Sequence, residues 1–319
     1  MLATPGPLTY SKESLYEPKW DGLRCLAFKD KRLRLMSRNG RDMTAHFPDL
    51  ADLAHCLHGE PWVLDGELVI FDDTGKASFD LVRDRNLTAT PTRITHLAQR
   101  HPAVLIVFDL LYHRGISLMD KMLRARRSLL EQHLEPGQHV ALSPAVVGAG
   151  PGFHQTVVHH GCEGTMIKRL ESPYAPGSRS PYWIKVRNVK ETDCVIGGFV
   201  QRGPQQLASL LLGQHLLPAK TLHYVGRVGA GFSENQSQTL LNFLYRILTH
   251  APPFTAIAPN LARGASWVRP IVVCRVEYLT WTAKGLLRHP VFRGIRTDKP
   301  PLECLLAADH PSSTGASSL

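Results

Sequence analysis

Trp62-Val63-Leu64-Asp65-Gly66-Glu67-Leu68-Val69-Ile70-Phe71 alternates its side chains as a strand does, and stops at the turn-forming Asp72-Asp73-Thr74-Gly75. Asp65 and Glu67 stand two apart, so both carboxylates point to one face of a mainly apolar strand. There they are costly unless they meet cations, hydrogen-bond donors or a ribose hydroxyl. A solvated strand face would carry them with no ligand at all, and this element alone leaves both readings open.

The strand texture extends in both directions. Upstream, 23–29 and 32–37 flank Asp30-Lys31 as a hairpin does. Downstream, 103–112 (AVLIVFDLLY) is almost wholly apolar and reads as a buried strand. Residues 117–134 read as an amphipathic helix whose polar face is strongly basic. Short strands are expected over 164–168 and 183–187, joined by the turn-rich 172–182. After Val189-Lys190-Glu191-Thr192 strands dominate: 194–201, 207–217, 222–232 and 267–281. One helix interrupts them, opened by Ser233 with Gln236 as a capping box. Short strands closing on themselves with one helix fit a small β-barrel of the oligonucleotide-binding (OB) type. The expected class is α+β, with domains 1–190 and 191–308 and a Ser-rich, disordered tail over 309–319.

Composition narrows the function. With 319 residues the chain is comfortable for two domains, and 43% hydrophobic with 20% charged residues excludes a low-complexity class. The net charge of +10 points to a polyanionic partner, a merely basic protein being the plain alternative. Cys25, Cys56, Cys162, Cys194, Cys274 and Cys304 lie far apart, which fits neither a zinc ribbon nor a compact disulfide framework. There is no signal peptide and no apolar run of membrane-spanning length, so a soluble, intracellular chain with reduced thiols is expected. The absence of a P-loop and of G-x-G-x-x-G removes the usual support for ATPases, kinases and Rossmann enzymes.

The chemistry concentrates in Glu17-Pro18-Lys19-Trp20-Asp21-Gly22-Leu23-Arg24. A lysine attacks phosphorus only as a neutral amine, so a nucleophilic lysine needs nearby cations or burial to lower its pKa. In extended conformation Lys19 and Asp21 would share a face, and Gly22 would let backbone approach a ligand. Glu163 and Lys168 add an acid and a base on one short strand, and Lys185 and Arg187 share one face of the next. Converging cations suit a triphosphate or a charged pentavalent phosphorus, whereas a solvated basic strand edge is the plain alternative.

In this order the segments resemble the covalent nucleotidyltransferase superfamily, and within it bacterial ATP-dependent DNA ligases of the end-joining type. KWDGLR (19–24) resembles the nucleotidylation motif, and SRNG (37–40), DGE (65–67), FDLLY (108–112), EGTMIKR (163–169) and WIKVR (183–187) follow. TWTAKGLLRHPVFRGIRTDK (280–299) is similar to the family's last motif. The resemblance covers nearly the whole chain and implies an adenylation (nucleotidyltransferase) domain followed by an all-β OB-fold domain. It implies that Lys19 carries AMP, that Glu17 contacts the adenine amino group and that Phe108 stacks on adenine. From the residues alone, Phe108 reads better as a core aromatic. Glu67 would hold the ribose. Lys168, Lys185 and Arg187 would surround the phosphates. Arg24 and Arg38 would meet the ribose or the DNA end. Glu163 would bind the metal, with Asp21 there or at the 3′-hydroxyl. Arg296 and Lys299 would orient the leaving pyrophosphate. Arg187 departs mildly from the pattern, which often has lysine there.

The implied cofactors are ATP and Mg2+ or Mn2+, and the implied substrate is nicked or broken duplex DNA. A cytoplasmic, nucleoid-associated bacterial monomer is expected, without a separate DNA-encircling, polymerase or nuclease domain and recruited by a Ku-type end-binding protein. A hinge near 188–192 is required, because the last motif must cover ATP and later withdraw. An mRNA-capping guanylyltransferase and a non-catalytic nucleic-acid-binding module are the rivals.

Overall fold

The computed structural model describes residues 1–149, 151–203, 206–217, 221–282, 284–306 and 310. The chain forms two compact units, Met1–Asn188 and Val189–Leu319.

The first unit contains β1 (Leu2–Pro5), β2 (Ser14–Pro18), β3 (Leu23–Lys29), β4 (Leu33–Ser37), β5 (Trp62–Ile70), α1 (Phe79–Leu87) and α2 (Pro91–Arg100). It continues with β6 (Ala103–His113), β7 (Ile116–Ser117), α3 (Leu123–His133), β8 (Val140–Leu142), β9 (Val146–Val147), α4 (Pro151–His159), β10 (Gly164–Arg169) and β11 (Arg179–Arg187). One sheet runs β1-β11-β10-β2-β9, the other β4-β3-β5-β6-β7 with β8 beside β6. The DGE strand is β5, held centrally between β3 and β6 with Asp65 opposite both Leu26 and Asp109. The main core covers the second sheet, with Leu35, Leu64, Leu68, Leu105, Leu110 and Trp62 buried. Each such side chain contributes roughly 1.5–3 kcal/mol of burial.

Several expectations change. The helix begins at Leu123, six residues beyond position 117 (123 − 117), because Leu118 turns into the core and Lys121 N–H closes a turn on Leu118 O. β11 starts at Arg179, inside the expected turn region, because β1 pairs with it in parallel and supplies the missing partner strand. Lys19 and Asp21 do not share an extended strand. They lie in the loop that carries the chain from β2 in one sheet to β3 in the other.

The second unit contains β12 (Lys190–Gly203), β13 (Gln206–Leu216), β14 (Thr221–Val228), α5 (Glu234–Tyr245), β15 (Leu248–Thr249), α6 (Pro259–Ala262), β16 (Ala265–Tyr278) and β17 (Val291–Ile295). The order is β14-β13-β12-β16-β15, with β17 also on β16. Two backbone bonds, from Leu287 N–H to Val225 O and from Phe292 N–H to Ala230 O, bring the far edge back to β14 and its following loop. Ser233 and Gln236 form the expected capping box at the start of α5. A second short helix, α6, was not foreseen, and β12 and β16 run 14 residues each rather than as short strands. Both long strands stay in one sheet because β12 shifts register between Ile196 and Gly198 against β16, a bulge that bends the strand. Of the expected disordered tail, 309 and 311–319 lie outside the described residues, while His310 is buried against Trp281. Among the described residues no helix is long and apolar enough to cross a membrane.

Candidate active site

A cleft of about 770 Å3 in the first unit is lined from both sheets. It gathers Glu17 from β2, Arg24 from β3, Glu67 from β5, Phe108 from β6, Lys168 from β10, Lys185 from β11, and Lys19 and Arg38 from loops. Local backbone contacts fix the lysine. Lys19 N–H donates to Gly164 O, and Glu163 N–H donates back to Lys19 O. Gly164 sits at φ 148°, and a Cβ there would run into Val186 O, so the close approach of β10 to β11 requires glycine. At Gly22 a Cβ would meet Leu68 O and Glu67, which explains the glycine of KWDG.

The Lys19 ammonium donates to Glu163 Oε2, and Arg187 Nε lies 3.6 Å from Glu163 Oε1. Glu163, expected at the metal, thus meets the nucleophile candidate directly. Cations expected near Lys19 are present as Lys185, which feels its charge, and Arg187, which shares Glu163 with it. Asp21 is not among the residues that line the cleft. Burial, then Arg187 and Lys19, lower the Lys185 pKa. Burial raises the Glu67 carboxyl to about 7, against the pull of Arg24 and Lys19.

Arg24, expected at the ribose or the DNA end, makes a bidentate bond to Asp65, which also accepts from Tyr174 Oη at 2.7 Å. Asp65 is fully buried, so this fork neutralises a charge that could not otherwise stay inside. Phe108 is both a core aromatic and a cleft wall: it packs edge-on against Trp183, and the Arg24 and Lys168 cations lie 4.6 and 4.1 Å from its ring centroid. Glu17 Oε2 is ion-paired with Lys168 Nζ at 2.5 Å, and its Oε1 accepts from Arg127 at 3.0 Å.

Arg126 and Arg127 do not belong to the expected basic polar face of α3, which keeps the exposed Arg124. Arg126 is fully buried in a bidentate bond to Asp109, and Arg127 is 5% exposed beneath Glu17. Their phase gave a signal: Leu123 and Leu130 are buried seven apart, and positions 126 and 127 fall between them on the same stripe.

Arg296 and Lys299 belong to the second unit. There they meet Asp193, with Arg296 Nη1 at 3.1 Å and Lys299 Nζ at 3.0 Å from Oδ2. Arg275 Nε reaches Asp193 Oδ1 at 3.3 Å. Asp193 and Arg275 had no motif to mark them. All six cysteines are free, and burial raises the thiols of Cys25, Cys194 and Cys274.

A nucleotidyltransferase fold that carries a lysine on its inter-sheet loop, followed by an OB-fold barrel, defines a class of enzymes that work through a lysyl-nucleotide. Residues 7–187 match the ATP dependent DNA ligase domain, and 203–299 match the ATP dependent DNA ligase C terminal region. The chain belongs to the ATP-dependent DNA ligase family. The multifunctional non-homologous end joining DNA repair protein LigD of Mycobacterium tuberculosis (strain ATCC 25618 / H37Rv) is 37% identical over 95% of this chain, which spans 39% of that protein. DNA ligase C1 of Mycolicibacterium smegmatis is 32% identical over 91% of this chain and 86% of its own. The solved ligase domain of M. tuberculosis LigD is 34% identical, with a TM-score of 0.54 over 95% of this chain and 96% of that one. A mycobacterial DNA ligase D complexed with ATP and MES is 33% identical, with the same TM-score of 0.54 over 96% and 97%.

Proposed function

We propose that this chain seals 5′-phosphate/3′-hydroxyl breaks in duplex DNA, using ATP to charge Lys19. The observation that carries the reading is one cleft lined by Lys19, the carboxylates Glu17 and Glu67, the aromatic Phe108 and the cations Lys168 and Lys185. Lys19 Nζ attacks the α-phosphorus of ATP, an N–P bond forms, and the P–O bond to pyrophosphate breaks. Glu163 Oε2, already accepting from Lys19, can receive the lysine proton. Lys185 and Arg187 stand by to balance phosphate charge, and Arg296 and Lys299 would orient the pyrophosphate. An oxygen of the DNA 5′-phosphate then displaces Lys19 from AMP. The 3′-hydroxyl finally attacks the activated 5′-phosphorus, and AMP leaves.

Mg2+ or Mn2+ suits this donor set. Such an ion takes oxygen ligands from one or two carboxylates and from substrate phosphates, and Glu163 is the carboxylate beside Lys19. Glu163 would hold it, and the ion would neutralise phosphate charge. Alternation between steps requires a hinge at 188–192, beside the unit boundary at Asn188. A variant locked there should lose multiple turnover, and normal turnover would contradict the hinge. The relative named for non-homologous end joining DNA repair supports a role in repairing broken DNA; a nucleoid-associated monomer recruited by a Ku-type protein is our proposal for how this chain would reach the break.

The test uses α-labelled ATP or GTP with magnesium, beside Lys19→Ala. A covalent label from ATP, absent in the variant and chased off by nicked DNA, supports the proposal. Label from GTP alone would move the assignment to capping, and no label on folded protein would leave a nucleic-acid-binding module.

A further inference from the structure

Arg127 is a buried cation behind the cleft wall, not part of its lining, and the steps above leave it unused. It sits 5% exposed on α3 and spreads its guanidinium over three acceptors: Glu17 Oε1 at 3.0 Å, Ser143 O at 2.6 Å and Glu131 Oε1 at 2.6 Å. Ser143 Oγ in turn accepts from Trp20 Nε1 at 3.3 Å, next to Lys19. Glu17, itself 1% exposed, lines the cleft and has both oxygens engaged, one by Arg127 and one by Lys168. A carboxylate oxygen carries two acceptor sites, so each still has one to offer a ligand.

We propose that Arg127 is the positioning residue for base selection: by donating to Glu17 it keeps that side chain an acceptor-only carboxylate, which takes the 6-amino group of adenine and repels the 6-oxo group of guanine or hypoxanthine. The inference rests on the reading that Glu17 faces the purine. Lys168 alone would do this poorly. Burial disfavours its charge, a cost that the Phe108 and Trp183 rings, with centroids 4.1 and 4.3 Å from the ammonium, offset only in part. Moving one proton from Lys168 Nζ to Glu17 Oε2 would leave both groups neutral and give Glu17 an O–H, a donor that can serve a 6-oxo group. A guanidinium has no proton to surrender at working pH, so Arg127 opposes that transfer whatever Lys168 does.

The experiment measures covalent labelling of the full chain from α-labelled ATP and ITP for the native protein, Arg127→Met, Arg127→Lys and Glu17→Gln, with folding checked by melting. Arg127→Met should lower the ATP:ITP ratio of labelling efficiency by about 10- to 100-fold, mainly through a higher KM for ATP. Arg127→Lys should keep the ratio only in part, because its ammonium, like that of Lys168, has a proton to surrender. If Arg127→Met does not fold, Arg127→Gln, which keeps donors and loses the charge, should show the same fall. A folded, uncharged variant with an unchanged ratio, while Glu17→Gln changes it, overturns the role of Arg127 alone. An unchanged ratio in Glu17→Gln overturns the placement of the purine, and this inference with it.

Discussion

In the first unit the buried carboxylates Asp65, Asp109 and Glu17 have both oxygens taken by cations. In the second, Asp193 gathers Arg275, Arg296 and Lys299, whose side chains are 40%, 24% and 27% exposed, with the more exposed Glu191 and Asp298 sharing the first two. Buried pairs of the first kind cannot part without leaving a charge in a low dielectric, so they hold a cleft in shape. Partly exposed cations sharing one acid exchange it for another anion at little cost, which suits groups that must engage pyrophosphate and then leave.

Breaking the buried type should cost most. Arg126→Met strands Asp109 and should lower unfolding free energy by about 3–5 kcal/mol in denaturant titration. A loss below about 1 kcal/mol would mean the pair is no scaffold.

The half-buried Glu67 gives the intermediate effect. With its folded value raised from 4.5 to about 7, the folded state holds the extra proton across that interval. This contribution to stability is therefore present at low pH and is lost as pH rises towards 7. If ribose binding uses the carboxylate, labelling at subsaturating ATP should fall by up to about tenfold per unit below pH 7, and the fall should flatten in Glu67→Gln. A profile that Glu67→Gln leaves unchanged would assign the ionisation elsewhere.

The shared acid should matter least to stability. Asp193→Asn should change it by about 1 kcal/mol or less while tightening nicked-DNA binding at low salt, a gain that closes as salt is raised. Weaker binding at every salt concentration would show that Asp193 orients these cations rather than merely neutralising them.

The sheet holding β3, β5 and β6 and most strands after 190 were legible through alternation and apolar runs, whereas of the other sheet only β10 and part of β11 were marked. Most of the cleft residues were legible through ordered motifs. Other features were not. β1 (LATP) is too short and mixed to show a pattern, and it exists because β11, over 170 residues away, accepts it in parallel. Asp193 meets Arg275 across 82 residues through the β12–β16 register, which local spacing does not encode. Arg126 and Arg127 were readable in principle, since helix phase sets them on the apolar stripe, but their charge argued for water. Their acids on β6 and β2 decided the matter.

The central claim is that Lys19 is the residue that becomes charged with AMP. Intact-mass and peptide mass spectrometry of the full chain after incubation with ATP and magnesium tests it most directly. The account predicts one AMP per chain on the peptide that contains Lys19, lost when nicked DNA is added. An adduct on another lysine, or none on folded protein, would contradict it.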